Sequence, residues 1–163
     1  MRSLLPIILA LAALCLTACS DDSCYDNGSS LPLATLCIGG SQQTITGLTI
    51  MGIGVPGDSL LADSSALSEV YLPLRASVGT TSYAISRWVG AGTTMARELH
   101  DTLTLNYEAV AYFHSAECGA MYNFNLHNVH CTTNGIDSVV VITPLVTNSR
   151  TPALRIHLTS FSL

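Results

Sequence analysis

The sequence contains no lysine, so arginine supplies all six of its basic side chains. Only 10% of the residues are charged, and eleven acidic residues bring the net charge to −5. A protein with this balance repels the phosphate groups of nucleic acids and the anionic headgroups of lipids. We therefore expect no nucleic-acid partner.

Common catalytic and metal-binding motifs are also missing, since G-x-S-x-G, H-E-x-x-H, S-x-x-K and C-x-x-C do not occur. Potential metal ligands do gather within eighteen residues, at His114, Cys118, His127, His130 and Cys131. Strand alternation predicts that His127 shares a face with Cys131 and that His130 points to the other side. We expect no metal or other cofactor and no catalysis, with a small hydrolase of unrecognised site as the alternative.

The only long apolar run is at the start, where residues 4–16 follow the single charge of Arg2. This run is too short to cross a bilayer, which takes about 20 apolar residues, and is typical of a cleavable signal peptide. It ends in Leu16-Thr17-Ala18-Cys19, which matches the lipobox of bacterial lipoproteins. We predict a signal peptide over residues 1–18, fatty acylation of Cys19 and a tether over residues 19–23.

Three polar residues, Ser20-Asp21-Asp22, directly follow the predicted lipidation site. They resemble the acidic signal that sends lipoproteins of Bacteroidota to the outer face of the outer membrane, although a merely solvated tether is the alternative. Each buried methylene of an acyl chain contributes about 0.8 kcal/mol, so two or three chains hold a protein almost permanently. We expect an outer-membrane protein facing the cell surface, with the periplasmic face as the alternative.

Four other cysteines follow the lipobox: Cys24, Cys37, Cys118 and Cys131. An even number in an exported protein predicts two disulfides. Cys37 follows Cys24 by thirteen residues, and Cys131 follows Cys118 by thirteen residues. This equal spacing allows Cys24–Cys118 with Cys37–Cys131, and equally Cys24–Cys131 with Cys37–Cys118.

Apolar residues recur with a period of two, and no window of a dozen residues has a helical stripe. The clearest strands are 102–108, with Leu103, Leu105 and Tyr107 on one face, and 153–159. Further strands are predicted at 44–55, 69–74, 80–89, 109–116, 120–131 and 138–143. This pattern predicts one all-β domain over residues 24–163, an immunoglobulin-like antiparallel sandwich of seven to eight strands, with a small closed barrel as the alternative.

Several stretches of the chain resemble a family of uncharacterised Bacteroidota lipoproteins, a domain of unknown function. They are Cys24-Tyr25-Asp26-Asn27, Leu31-Pro32-Leu33, Asp58-Ser59-Leu60-Leu61, Val70-Tyr71-Leu72-Pro73-Leu74 and the run from Ser115 to Phe124. The family has no assigned activity. The positions of Cys24 and Cys118 recur as cysteine in it, so the resemblance implies the pairing of Cys24 with Cys118.

The aromatic residues are the candidates for a binding surface, because exposed rings recognise sugars and proteins whereas buried rings fill the core. They are Tyr71, Tyr83, Trp88, Tyr107, Tyr112, Phe113 and Tyr122. Our leading hypothesis is a non-catalytic, surface-tethered module that contacts a glycan or another envelope protein. The alternative is a periplasm-facing accessory lipoprotein of an envelope assembly.

A repeated Asp-Ser/Thr-aliphatic pattern occurs at residues 58–60, 101–103 and 137–139. It resembles the O-glycosylation acceptor of exported Bacteroidota proteins and would place glycans on Ser59, Thr102 and Ser138. The alternative is structural, since Asp commonly ends a turn and the following residues then begin a strand.

Overall fold

A computed structural model describes residues 30–54, 59–116 and 118–160. Every regular element in these ranges is a strand, which confirms the all-β class. The eleven strands are β1 (Leu33–Ile38), β2 (Ser41–Gln42), β3 (Ile45–Ile53), β4 (Leu60–Leu67), β5 (Glu69–Tyr71), β6 (Thr80–Val89), β7 (Arg97–Ser115), β8 (Gly119–Cys131), β9 (Ile136–Val141), β10 (Leu145–Val146) and β11 (Pro152–Leu158). No helix in the described ranges could cross a membrane. The predicted signal peptide, Cys19, the tether and Cys24 lie outside them.

The strands form two sheets that give the molecule a sandwich-like architecture, one of them curled into half a barrel. The first sheet has the order β2-β1-β11-β9, with β5 also paired to β1, and the second has the order β10-β8-β7-β6-β3-β4. All pairings are antiparallel except that of β1 with β11, which is parallel. The predicted sandwich is therefore confirmed, with more strands in the described ranges than the seven to eight expected.

Three differences in the strands have clear physical reasons. The predicted strands 102–108 and 109–116 are one continuous strand, β7, because no turn residue separates them. Strand β1 was not predicted because five of its six residues are buried, so its sequence has no alternation of polar and apolar side chains. Strand β4 was also missed, since its centre is Asp63-Ser64-Ser65 and Ser64 has a positive φ of 43°.

The core lies between the sheets and contains the predicted inward-facing residues. Leu103 and Leu105 are completely buried, and Leu154, Ile156 and Leu158 are buried on the facing sheet. Arg155 is exposed, as alternation along β11 requires. Burying each leucine stabilises the fold by about 2 kcal/mol, so this double layer accounts for much of the folding energy.

Two tyrosine hydroxyls fix the segment between β5 and β6. The Tyr107 hydroxyl donates to the carbonyl of Arg75 at 2.9 Å and accepts from the Arg75 N–H at 3.0 Å. Because a phenol has one proton, the Thr81 hydroxyl must be the donor in its 2.7 Å bond with Tyr107. The Tyr83 hydroxyl donates to the carbonyl of Pro73. Burial, with a smaller contribution from Tyr107, raises the pKa of Tyr83, so the phenol stays protonated.

Candidate functional site

The most prominent feature outside the core is the far half of the β7–β8 hairpin, residues 108–115 and 119–123, which we call the arm. The pairing of β6 with β7 ends at Thr80 and Asn106, so beyond this point β8 is the one strand of the described ranges that pairs with β7. At about 3.3 Å per residue, the eight arm residues of β7 extend about 25 Å. The arm is thus a two-stranded ribbon that projects past the six-stranded sheet.

Cross-strand pairs and a tight turn hold the arm together. Tyr112 lies opposite Met121, and its hydroxyl is 3.7 Å from the Met121 sulfur. Near the turn, the Cys118 N–H donates to the Ser115 hydroxyl at 3.1 Å. Gly119 has a φ of 69°, a conformation that favours glycine and allows the chain to reverse there.

Large apolar side chains on the arm are open to solvent. The exposed fraction is 74% for Phe113, 45% for Val110 and 42% for Tyr122, whereas Leu105 near the base is fully buried. Phe113 and Tyr122 lie on the face that continues the core side of the sheet, since Tyr122 pairs with Ala111 and Phe124 with Ala109. The arm therefore presents apolar surface at Phe113 and Val110 that the described part of the domain does not cover, whereas Tyr122 also borders a pocket shared with Leu31, Pro73 and Leu74.

The outer edge of the arm lacks the usual protection against strand pairing. Within the described ranges, no strand pairs with β7 on the β6 side after Asn106. Residues 108–123 contain no lysine, arginine or proline, the residue types that commonly protect sheet edges. The bulge between Phe113 and Ser115 affects only the tip. The main-chain groups of this edge can accept another strand.

The chain enters the described domain beside the arm. The Ser30 hydroxyl donates to the side-chain oxygen of Asn123 at 3.0 Å, and Ser30 is buried. Ser30 is eleven residue steps after Cys19, which at full extension is at most about 40 Å. Any anchor on Cys19 would therefore hold the arm close to the membrane.

The cysteines require a correction of the predicted disulfides. Cys37 and Cys131 are both free thiols, so the Cys37–Cys131 bridge is wrong, and so is the alternative pairing of Cys24–Cys131 with Cys37–Cys118. Alternation along β1 places Ala34 and Leu36 in the core and turns Cys37 to the outer face, whereas Cys131 packs against the core. The body of the first sheet lies between the two thiols. Cys118 is disulfide-bonded, and Cys24, its predicted partner, lies outside the described ranges.

The candidate metal ligands do not converge, and the described residues contain no group of three or more suitable side chains. A bulge in β8 opposite Asn106 and Tyr107 inserts His127 as an extra residue. His127 is therefore exposed, 3.8 Å from Glu108, while Cys131 points to the core. The prediction that His127 and Cys131 share a face was wrong because this bulge reverses the alternation.

The predicted aromatic residues separate into two groups. Tyr83 and Tyr107 are buried in the core, and Tyr107 packs edge-on against Phe124 with ring centroids 5.4 Å apart. The exposed group contains Tyr71, Trp88, Phe113 and Tyr122, and Tyr112 is half-buried. Of the exposed rings, Phe113 and Tyr122 belong to the arm, whereas Trp88 lies at the opposite end of the six-stranded sheet.

The three predicted glycosylation positions have different surroundings. Ser59 and Ser138 are exposed, whereas Thr102 is half-buried in the middle of β7. Asp101 does not end a turn, because it lies inside β7 with its carboxylate buried. The structural alternative is therefore wrong for Asp101-Thr102, and glycosylation at the three positions stays a prediction.

Comparison with known proteins gives a family without an assigned function. Residues 47–158 match the model of DUF6452, a family of unknown function. This range runs from β3 to the last residue of β11 and includes the whole arm. No curated protein and no solved structure matches the chain.

Proposed function

Because the chain belongs to the DUF6452 family of unknown function, we propose a function from its own features: it is a lipid-anchored, non-catalytic module of the outer membrane that binds another envelope protein through the arm. The exposed apolar arm with its unprotected edge is the observation that carries this proposal. Acylation of Cys19 after removal of residues 1–18 supplies the anchor. Ser20-Asp21-Asp22 favours the cell-surface side.

A protein partner fits the arm better than lipid does. The edge of β7 from Glu108 to Ser115 offers main-chain N–H and C=O groups, and hydrocarbon cannot satisfy such groups. A strand from another protein can pair with them while Val110 and Phe113 fill apolar pockets on that partner, as in β-strand addition. The short span between Cys19 and Ser30 favours a partner that lies in or near the same membrane.

Site-specific photo-crosslinking in the native cell tests this binding role. A benzophenone side chain at Phe113 should give one discrete adduct with another protein on illumination. The matched control is Val140 of β9, which is 48% exposed but lies on the other sheet, and it should give none. The absence of a discrete adduct at Phe113, or the same adduct at both positions, would contradict the proposal.

The side of the membrane is tested separately by protease treatment of intact cells. A surface-facing domain is digested before lysis, whereas a periplasm-facing accessory lipoprotein resists until the envelope is opened. The second result would replace the surface location by the periplasmic one and would leave the arm's role unchanged.

A further inference from the structure

The single tryptophan of the chain lies at a small cleft far from the arm. Trp88 is the penultimate residue of β6, and its side chain is 55% exposed. Alternation along β6 turns Tyr83, Ile85 and Arg87 inward, so Trp88 points outward. Exposure of an indole ring to water is unfavourable, so a ligand that covers the ring gains binding free energy.

Neighbouring side chains leave the indole open. The other outward residues of β6, namely Ser82, Ala84 and Ser86, are small. The pairing with β3 ends at Arg87 and Leu48, so no β3 residue is paired with Trp88 in the described register, and the residue before Leu48 is Gly47. Gly47 has no side chain and a φ of 66°, which favours glycine. The six-stranded sheet thus forms an open platform at this end.

Next to the platform is a cleft of about 240 Å³. Its lining combines Trp88 with apolar and polar residues, namely Ile38, Ile45, Val89 and Gly90 on the one hand and Thr44, Thr46, Arg87 and Thr159 on the other. Thr44 and Thr46 are exposed, so their hydroxyls can bind a ligand. The volume is below that of pockets for drug-sized molecules, which begin at about 300 Å³, and suits one sugar ring.

The cleft is electrically balanced, which argues for a neutral ligand. Arg87 donates to the carbonyl of Thr159 at 2.9 Å, and the Thr159 hydroxyl donates to Asp137 at 2.8 Å. The guanidinium charge is thereby offset by a nearby carboxylate. On β7, Glu98 lies opposite Trp88 and Arg97 lies opposite Val89, so these neighbours add one charge of each sign beside the platform. An acidic sugar would find no excess of positive charge there.

We propose that the cleft formed by Thr44, Thr46, Arg87, Trp88, Gly90 and Thr159 binds a neutral sugar unit of a glycan, with the sugar ring stacked on the Trp88 indole. The apolar C–H face of a pyranose matches the face of an aromatic ring, and its hydroxyls reach the threonine side chains at the rim. This site is independent of the arm and of the anchor.

Tryptophan fluorescence gives a direct test, because Trp88 is the only tryptophan in the chain. The full-length protein in a zwitterionic detergent, free of glycoside headgroups, is titrated with glucose, galactose, mannose and N-acetylglucosamine and with their disaccharides. At least one sugar should shift the emission in a saturable way at millimolar concentration. If no sugar in this panel gives a saturable change, the proposal is overturned.

Variants distinguish stacking from nonspecific quenching. Saturation-transfer NMR on the sugar, which needs no tryptophan, should show binding weakened about tenfold or more in Trp88→Ala and less in Trp88→Phe, which keeps an aromatic face. Thr46→Val, which removes one hydrogen bond, should weaken binding about threefold to tenfold. Phe113→Ala on the arm should leave binding unchanged. Full binding by folded Trp88→Ala overturns the proposal.

Discussion

The carboxylate of Asp101 accepts a hydrogen bond from the main-chain N–H of Gly135 at 2.6 Å, which connects the middle of β7 to the loop between β8 and β9. The same carboxylate accepts from the N–H groups of Ile136 and Asn134 and from the Thr132 hydroxyl, at 3.0, 2.8 and 2.7 Å. Asp101 is thus a buried acid whose four donors come from the loop between β8 and β9 and from the first residue of β9.

Replacing Asp101 should therefore destabilise the protein strongly. In Asp101→Asn, the amide group would point N–H donors at main-chain N–H groups, so we expect the free energy of unfolding to fall by about 3 kcal/mol. Asp137→Asn is the matched control, since this exposed acid bonds to the Thr159 hydroxyl near the surface, and it should cost less than about 1 kcal/mol. Urea unfolding measures both, and equal losses in the two variants would show that Asp101 does not hold the loop.

Thiol counting tests the corrected disulfide assignment. In the mature protein, unfolded without reductant, we expect two reactive thiols, from Cys37 and Cys131. The folded protein should react slowly, because Cys37 is buried and because burial, and secondarily Asp101, raises the pKa of the Cys131 thiol. Cys37→Ser and Cys131→Ser should each lower the count by one. A count of zero in the unfolded protein would mean that the two cysteines are bridged after all.

Alkaline pH should weaken the fold through Tyr83. Its pKa is raised in the folded protein above the ordinary value of 10.0, so the unfolded chain loses this proton first. Stability from this group is complete below pH 10 and falls above it, by up to about 1.4 kcal/mol per pH unit. Tyr83→Phe loses the bond to Pro73 at every pH, but its free energy of unfolding should fall less steeply with pH above pH 10 than that of the wild type. Urea unfolding at several pH values measures this fall. If the free energy of unfolding falls equally with pH in the wild type and in Tyr83→Phe, this role of Tyr83 is excluded.

The sequence predicts the parts of this fold that follow regular alternation. Leu103, Leu105 and Tyr107 are buried as a set because β7 alternates without interruption. The sequence does not reveal β1, which is buried on both faces, or the bulge at His127, which depends on pairing with a strand twenty residues away. The prediction that Asp101 ends a turn was wrong for a related reason, since the groups that bind its carboxylate lie more than thirty residues further along the chain.

The candidate site was only partly accessible from sequence. The aromatic residues were identified, but alternation along β6 only puts Tyr83 and Trp88 on opposite faces, and the small residues beside Trp88 did not show which face is buried. The arm could not be recognised either. It exists because β6 begins at Thr80, so that in the described part of the chain β7 continues with β8 as its one neighbour, and this follows from how the strands pair.

The anchor is tested by changing the predicted lipidated residue. Cys19→Ala should abolish acylation, and the protein should move from the membrane fraction to the soluble one. Cys15→Ala, within the predicted signal peptide, is the matched control and should leave both unchanged. Fatty-acid labelling with fractionation reports the two effects, and undiminished labelling of Cys19→Ala would refute the lipobox assignment.

The most direct test of the binding role is the size of the protein when native membranes are dissolved in a mild detergent. The wild-type protein should migrate as a complex much larger than one mature chain in its micelle. Phe113→Asp combined with Val110→Asp, which places charges on the exposed arm, should migrate as the single chain, and Val140→Asp should behave as wild type. If the arm variant keeps the size of the wild-type complex, or if the wild-type protein is itself a single chain, the account of the arm as a protein-binding element is wrong.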